Sequence, residues 1–243
     1  FRYGVFVIAI VTLLQFNNKF IKYFFYCILF CFIILLFDGY FQYFNPTGEN
    51  IIGLTSGSAG RVSSFFGDEL ILGSYLSRLW PIFFGLSIFL INKKNKLFYF
   101  LVIIFILSEV LIFISGERAA FFFINLSAIF VILFSKNLLK LRIIILLLSF
   151  SLIILVSIIN PIAKERIINQ TFEQMNLFQK ENLNKKMIIF TSTHTQHYMS
   201  AYKMFLDNKI FGVGIKNFRN FCSNKKYKSE KSCATHPHNT YIQ

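Results

Sequence analysis

The residues best suited to moving a proton stand together at His236-Pro237-His238-Asn239. Pro237 fixes its own φ and pushes His236 towards extended backbone, so both imidazoles are carried on a stiff segment. A neutral imidazole near pH 7 is a suitable general base for a hydroxyl group. The same residues would also serve as an ordinary pair of surface histidines. A second set could hold an anion. Arg118 follows Ser115-Gly116-Glu117 in a turn between two apolar runs. There its planar fork could grip phosphate oxygens, or it could anchor the turn and pair with Glu117. Arg61 lies in a Gly-rich stretch, either facing an anion or solvated. Arg78 follows Asp68-Glu69 by about two helical turns and could snorkel or pair with those acids. Glu109, inside an apolar run, is expected to pair within a helix bundle. His194 and His197 are one helical turn apart, but no further ligand stands at telling spacing, so no metal is assigned. Gly212-Val213-Gly214 lacks the surrounding βαβ unit of a dinucleotide site.

These side chains must be positioned by elements built for lipid. The chain is 55% hydrophobic and 15% charged, with a mean hydropathy of +0.58, whereas soluble domains carry about a quarter charged residues. The apolar residues fall in uninterrupted blocks at 1–16, 20–37, 70–91, 97–114, 119–134 and 143–159. A bilayer-spanning helix needs roughly 20 such residues. The expected fold is all-α: a polytopic transmembrane helix bundle of about six spans over 1–159, with a largely helical loop domain over 160–243. Asp38-Gly39 is expected to end the second helix and open a loop over 38–69, which holds six of the twelve glycines and Pro46. In the loop domain, an amphipathic helix is expected over 161–178, with Pro161 near its start. A second should run from about Thr193 to Leu206, capped by Ser192 or Thr193. Phe1 begins inside an apolar run and Gln243 follows no closing element, so both ends are expected to be cuts in a longer chain.

The loop charges alternate. Lys19, Lys22, Lys93, Lys94, Lys96, Lys136, Lys140 and Arg142 fall on one side, and only Arg61 and Arg118 on the other. Eight against two places the first group in the cytoplasm. The Gly-rich loop, the Gly-Glu-Arg turn and 160–243 then share the opposite face, where they could converge on one site. The net charge of +14 invites a nucleic-acid partner. Its residues are scattered through short loops, so the bilayer is the expected partner and nucleic acid is not. Cys27 and Cys31, one turn apart in an apolar block, read as packing residues. Cys222 and Cys233 flank a Lys-rich stretch and, in an oxidising compartment, could close a small loop just before the His motif.

Three motifs occur in a fixed order: Gly116-Glu117-Arg118-Ala119-Ala120, Gly212-Val213-Gly214-x-x-Asn217-Phe218-Arg219 and His236-Pro237-His238-Asn239-x-Tyr241. In these, over roughly residues 85–243, the chain resembles the O-antigen ligase and O-antigen polymerase superfamily. The resemblance implies a metal-independent, cofactor-free glycosyltransferase, multi-pass in the bacterial inner membrane, with 160–243 in the periplasm. It implies a glycan on undecaprenyl diphosphate as donor. The acceptor would be a sugar hydroxyl, on a lipid A core for a ligase or on another repeat unit for a polymerase. By the same resemblance Arg118 would neutralise the leaving diphosphate, with Arg61 and Arg78 as less closely matched partners. His238 would deprotonate the acceptor and Asn239 orient it, with His236 as the fallback base. Arg219, closing the second motif, is a further substrate-binding candidate. The competing class is a transporter or flippase for lipid-linked or anionic substrates, which intramembrane Arg and Glu would serve equally. Many transporters show internal repeats, and none is visible here. A passive membrane scaffold would leave the His-Pro-His-Asn motif unexplained.

Overall fold

In hydrocarbon a peptide group finds no water to bond, so each apolar block must close its hydrogen bonds on itself as a helix. The computed structural model describes residues 2–17, 19–58, 60–92, 94–134, 139–159, 161–174, 192–210, 212–214, 217–228 and 233. Among them the helices are α1 (Arg2–Phe16), α2 (Phe20–Phe44), α3 (Leu72–Leu90), α4 (Lys96–Ile114), α5 (Arg118–Phe134), α6 (Leu139–Ile159), α7 (Pro161–Lys164), α8 (Gln170–Gln174), α9 (Ser192–Asp207) and α10 (Phe218–Phe221). Among the described residues the only β pairing is an isolated bridge between Glu49 and Thr55, so the fold is all-helical as expected. α2, α4 and α6 are long and apolar enough to cross a membrane, while α1 and α5 are shorter apolar helices. The chain divides into two compact units, Phe1–Ile168 and Asn169–Gln243.

In the first unit α3 packs against α2, α4 and α5, and α4 against α2 and α6. Aromatic rings fill the centre: Phe32 meets Phe83 at 4.8 Å between centroids, and Trp80 stacks on Phe84 at 4.9 Å. Tyr40 ties α2 to α4 by donating to the Leu107 carbonyl at 2.8 Å. The surface is the reverse of a soluble protein's. Phe89, Phe134 and Ile159 are 76–78% exposed, whereas the Arg142 guanidinium is fully buried. Such an outward apolar face is stable in lipid and would be an aggregation liability in water, so this is a membrane protein.

Two sequence expectations need correction, and a third is refined. Asp38-Gly39 does not end the second helix, which continues to Phe44. A Cβ on Gly39 would lie 2.9 Å from Leu111 Cδ2, so the glycine serves close approach of α4, not a turn. Asp38 stays in the helix because loop donors satisfy its carboxylate, and the Gly-rich loop therefore begins at Asn45. Arg142 is not a loop charge. It lies inside α6, donates to Glu109 Oε1 at 2.6 Å, and its Cζ sits 4.3 Å from the centroid of the Trp80 ring. Glu109 thus pairs within the bundle as expected, and with the residue that charge counting had assigned to the cytoplasm. The helix expected over 161–178 is present through the described residues 161–174, but with a π-helical turn, Glu165–Asn169, between α7 and α8. Ala163 and Ile167 pack into the core of the first unit, so this segment belongs with the bundle up to Ile168.

The second unit is built on α9, whose bounds match the expected helix within a residue. Ala201, Met204, Phe218, Cys222 and Tyr227 form its small core. His197 is buried there, its ring edge-on to Phe218. Tyr227 donates its hydroxyl to Asp207, which also pairs with Lys226 at 2.7 Å. Cys222 and Cys233 are bonded, with Cα atoms 5.2 Å apart.

Candidate functional site: an arginine cluster at one end of the bundle

The 45–71 loop has little regular structure, so it must be held by side chains. Gln42, one turn after Asp38 on α2, does most of this. Its Oε1 accepts from the Ser63 and Ser64 amides at 2.9 and 2.7 Å, and its Nε2 donates to the Gly48 and Leu54 carbonyls at 3.1 and 3.3 Å. Asp38 accepts from the Ile51 amide at 3.0 Å and from the Ser64 hydroxyl at 2.5 Å. Ser64 has φ of +53°, a conformation that costs a non-glycine residue about 1–3 kcal/mol and persists only where its surroundings impose it. The two α2 side chains impose it here.

Held in this way, the loop presents Arg61 to the 115–117 turn, where Arg61 Nε donates to the Ser115 carbonyl at 2.8 Å. The turn is fixed from the other side by Glu117. Its carboxylate accepts from the Gly73 and Ser74 amides at 2.6 and 2.9 Å and from the Ser74 hydroxyl at 2.6 Å. An acid on the first amides of α3 is favoured by the helix dipole as well as by the bonds themselves. The approach is so close that a Cβ on Gly73 would fall 2.5 Å from Ser115 Oγ. Glu117 is thus committed to α3 and is not simply the counter-ion of Arg118. Gly116, at φ +69°, takes the left-handed turn that leads into α5 with Arg118 as its first residue.

A third arginine enters from the segment after α6. A Cβ on Gly116 would lie 3.4 Å from Arg166 Nε and equally 3.4 Å from Arg61 Nε, so two guanidinium nitrogens flank one bare Cα. The Arg166 Nε is buried and has no hydrogen-bond partner among the described residues. Partial burial, and then the like charge of Arg166, hold the Arg61 guanidinium below its ordinary pKa; Glu117 opposes the shift and Arg118 adds to it. Bringing like charges together in a partly buried place is unfavourable unless an anion joins them. The arrangement is suited to binding one.

Two hollows lie beside it. A polar pocket of about 390 Å³ is lined by Gln42, Tyr43, Thr55, Ser56, Gly60 and Arg61. A shallow apolar groove of about 650 Å³ runs along α2 and α4, over Leu36, Phe37, Tyr40, Phe41, Phe44 and Leu107. Asn45 and Pro46 line both, so the groove and the pocket adjoin.

Of the residues singled out in the sequence, Arg61 and the Arg118 turn come together here. Arg78 does not join them in any described contact; it is exposed on the side of α3. Arg219 is exposed on α10 in the second unit. His236, His238 and Asn239 lie outside the described residues. Sequence reading missed Arg166, Asp38 and Gln42. A signal for Arg166 existed, since Ala163, Arg166 and Ile167 fall on one helical face and two of the three are core residues.

A helical membrane protein with an arginine cluster and a polar pocket beside an apolar groove is the class that fold and geometry define. The chain belongs to the O-antigen ligase family, whose model matches residues 100–243, more than half of its length. The match takes in Arg118 and Arg166, and Arg61 lies ahead of it. No curated protein and no solved structure matches the chain. Membership makes the protein a glycosyl-transfer enzyme of the O-antigen ligase and polymerase type.

Proposed function

We propose that the protein transfers a glycan from undecaprenyl diphosphate to a sugar hydroxyl at the periplasmic face of the inner membrane, as an O-antigen ligase or polymerase. The observation that carries this reading is the convergence of Arg61 and Arg166 on the turn that bears Arg118, beside a polar pocket that adjoins an apolar groove. An amphipathic donor has the matching shape: an anionic head for the pocket and a polyprenyl tail for the groove. Topology supports the outward face. With Arg142 moved to the interior, seven basic residues in the loops and first helical turns of that side still stand against Arg61 and Arg118, which keeps the orientation.

In the reaction His238 takes the proton from the acceptor hydroxyl while its oxygen attacks the anomeric carbon. The bond from that carbon to the diphosphate oxygen breaks, and the lipid diphosphate leaves with the electron pair. Arg118, with Arg61, stabilises the charge that grows there. Asn239 orients the acceptor, His236 is the reserve base, and Arg78 and Arg219 contact more distant parts of the substrates. The leaving group is a weak base, so the reading needs no metal or cofactor. The test is glycan analysis of a deletion strain complemented with the full-length gene. Polymer accumulating on the lipid carrier, with none on lipid A, identifies a ligase; single repeats on the core identify a polymerase. His238→Ala and Arg118→Ala should fail to complement. Unchanged glycans in the deletion strain, or full rescue by His238→Ala, would refute the proposal.

A further inference from the structure

The ion pair inside the bundle leaves two nitrogens of its arginine unaccounted for. Arg142 gives Nη1 to Glu109, and its Cζ lies over the Trp80 ring. Nε and Nη2 are buried and have no hydrogen-bond partner among the described residues. These two nitrogens form one edge of the planar fork, with N–H bonds side by side, so a single acceptor can face both. Bare donors on a buried charged group carry a full desolvation penalty. A small cavity of about 10 Å³ borders the same residue, between α4, α5 and α6. Much of its lining is apolar, but Glu109, Asn125, Arg142 and Ser149 also line it. Asn125 donates to the Phe121 carbonyl at 2.7 Å, and Ser149 to the Ile145 carbonyl at 2.8 Å. Both side chains thus donate to their own helices, and each keeps an oxygen that can accept.

We propose that this cavity is a binding site for one ordered water molecule, which completes the Arg142–Glu109 pair and joins it to α5. The volume admits one water and no organic group, and the lining offers the several polar partners that a buried water needs. The water oxygen accepts from the Nε–Nη2 edge, and its two hydrogens go to oxygens among Glu109, Asn125 and Ser149. Water suits the site better than an anion, because Glu109 already balances the guanidinium charge. The ion pair alone ties α4 to α6. With the water the tie reaches α5 at Asn125, two turns beyond Arg118 at the start of that helix. The site is independent of the glycosyl-transfer reading, and no step of that reaction passes through it.

The experiment uses full-length protein in nanodiscs, labelled with ¹⁵N-arginine, and water itself is the probe. In solid-state NMR the Arg142 Nε–H, assigned by its loss in Arg142→Lys, should receive magnetisation from water much faster than the backbone amides of α4. Ser149→Val fills the cavity with a methyl group and removes an acceptor. It should cut that transfer several-fold and lower the midpoint of thermal unfolding. Ser149→Ala keeps the room and removes only one of the available acceptors, so its transfer should stay within about twofold of wild type. If Ser149→Val does not fold, the wild-type transfer and Ser149→Ala still decide the matter. A high-resolution map of the wild type should show one density within hydrogen-bond reach of both Nε and Nη2. An Nε–H as dry as the α4 amides overturns the proposal, as does a protein or lipid oxygen on that edge of the fork. Equal transfer in Ser149→Val and wild type overturns it too. An Nε shift that follows the chloride concentration would identify an anion as the occupant and overturn the water.

Discussion

Gln42→Glu isolates what holds the Gly-rich loop in place. The change replaces one NH₂ by an oxygen and alters neither length nor volume. Gln42 is 2% exposed, so solvent cannot absorb the consequence. The Oε1 bonds to the Ser63 and Ser64 amides survive. The other oxygen now faces the carbonyls of Gly48 and Leu54, at 3.1 and 3.3 Å, where a donor stood. Two buried acceptors lose their partner at about 1–3 kcal/mol each, and both bonds are long, so a total of about 3–4 kcal/mol is expected. At about 1.4 kcal/mol per tenfold, the equilibrium for local opening of the loop shifts by roughly two orders of magnitude. Hydrogen exchange on the purified full-length protein reads this directly. The amides of Asn50, Leu54, Ser63 and Ser64 should lose about a hundredfold of protection, while those of α4 stay protected. Undecaprenyl diphosphate binding should weaken with them, because Arg61 rides on the same loop. Loop amides exchanging within threefold of wild type would show that Gln42 does not anchor the loop. Global unfolding in place of local loss would refute the division between loop and bundle.

Two further outcomes follow from the packing. Gly73→Ala drives a methyl group into Ser115 Oγ and Glu117 Oε1, at 2.5 and 3.0 Å; it should cost about 1–3 kcal/mol, seen as a lower midpoint of thermal unfolding, and an unchanged midpoint would show that α3 and the turn are not in forced contact. Glu109→Gln strips the buried Arg142 of its counter-charge and should cost about 3–5 kcal/mol, whereas Glu109→Leu with Arg142→Met should recover most of that; a double variant as unstable as the sum of its singles would refute the pairing.

The six apolar blocks and the helix at 192–207 could be read from the sequence because each is a local pattern, repeated over many residues. What escaped was tertiary in origin. Asp38-Gly39 has the composition of a helix stop, yet its acid is consumed by a loop that folds back from Asn50, Ile51 and Ser64, and its glycine by a leucine of α4. Arg142 looks like a flanking charge until Glu109, thirty-three residues earlier, is placed beside it. In the candidate site, Arg61 and Arg118 stood out as lone charges near apolar runs. Arg166 did not, because it sits in a polar-looking segment whose burial depends on packing against the bundle. Gln42 carries no charge at all, and its importance lies entirely in backbone groups supplied by residues up to 22 positions away.

The Arg142–Glu109 pair also bears on how the protein is made. A charged residue inside an isolated helix resists transfer from the translocon into lipid, by about 2.5–3.5 kcal/mol at the helix centre; Glu109 stands well inside α4, and Arg142 in the first turn of α6. Glu109 emerges from the ribosome thirty-three residues before Arg142, roughly two to seven seconds ahead at bacterial elongation speeds. During that interval α4 must wait, at the translocon or in the membrane, with an unpaired acid. The favourable course is for α4, α5 and α6 to leave the translocon as one group, with the ion pair already closed. The bond that looks like a fixture of the finished bundle would then act first as a checkpoint on the order in which its helices reach the lipid.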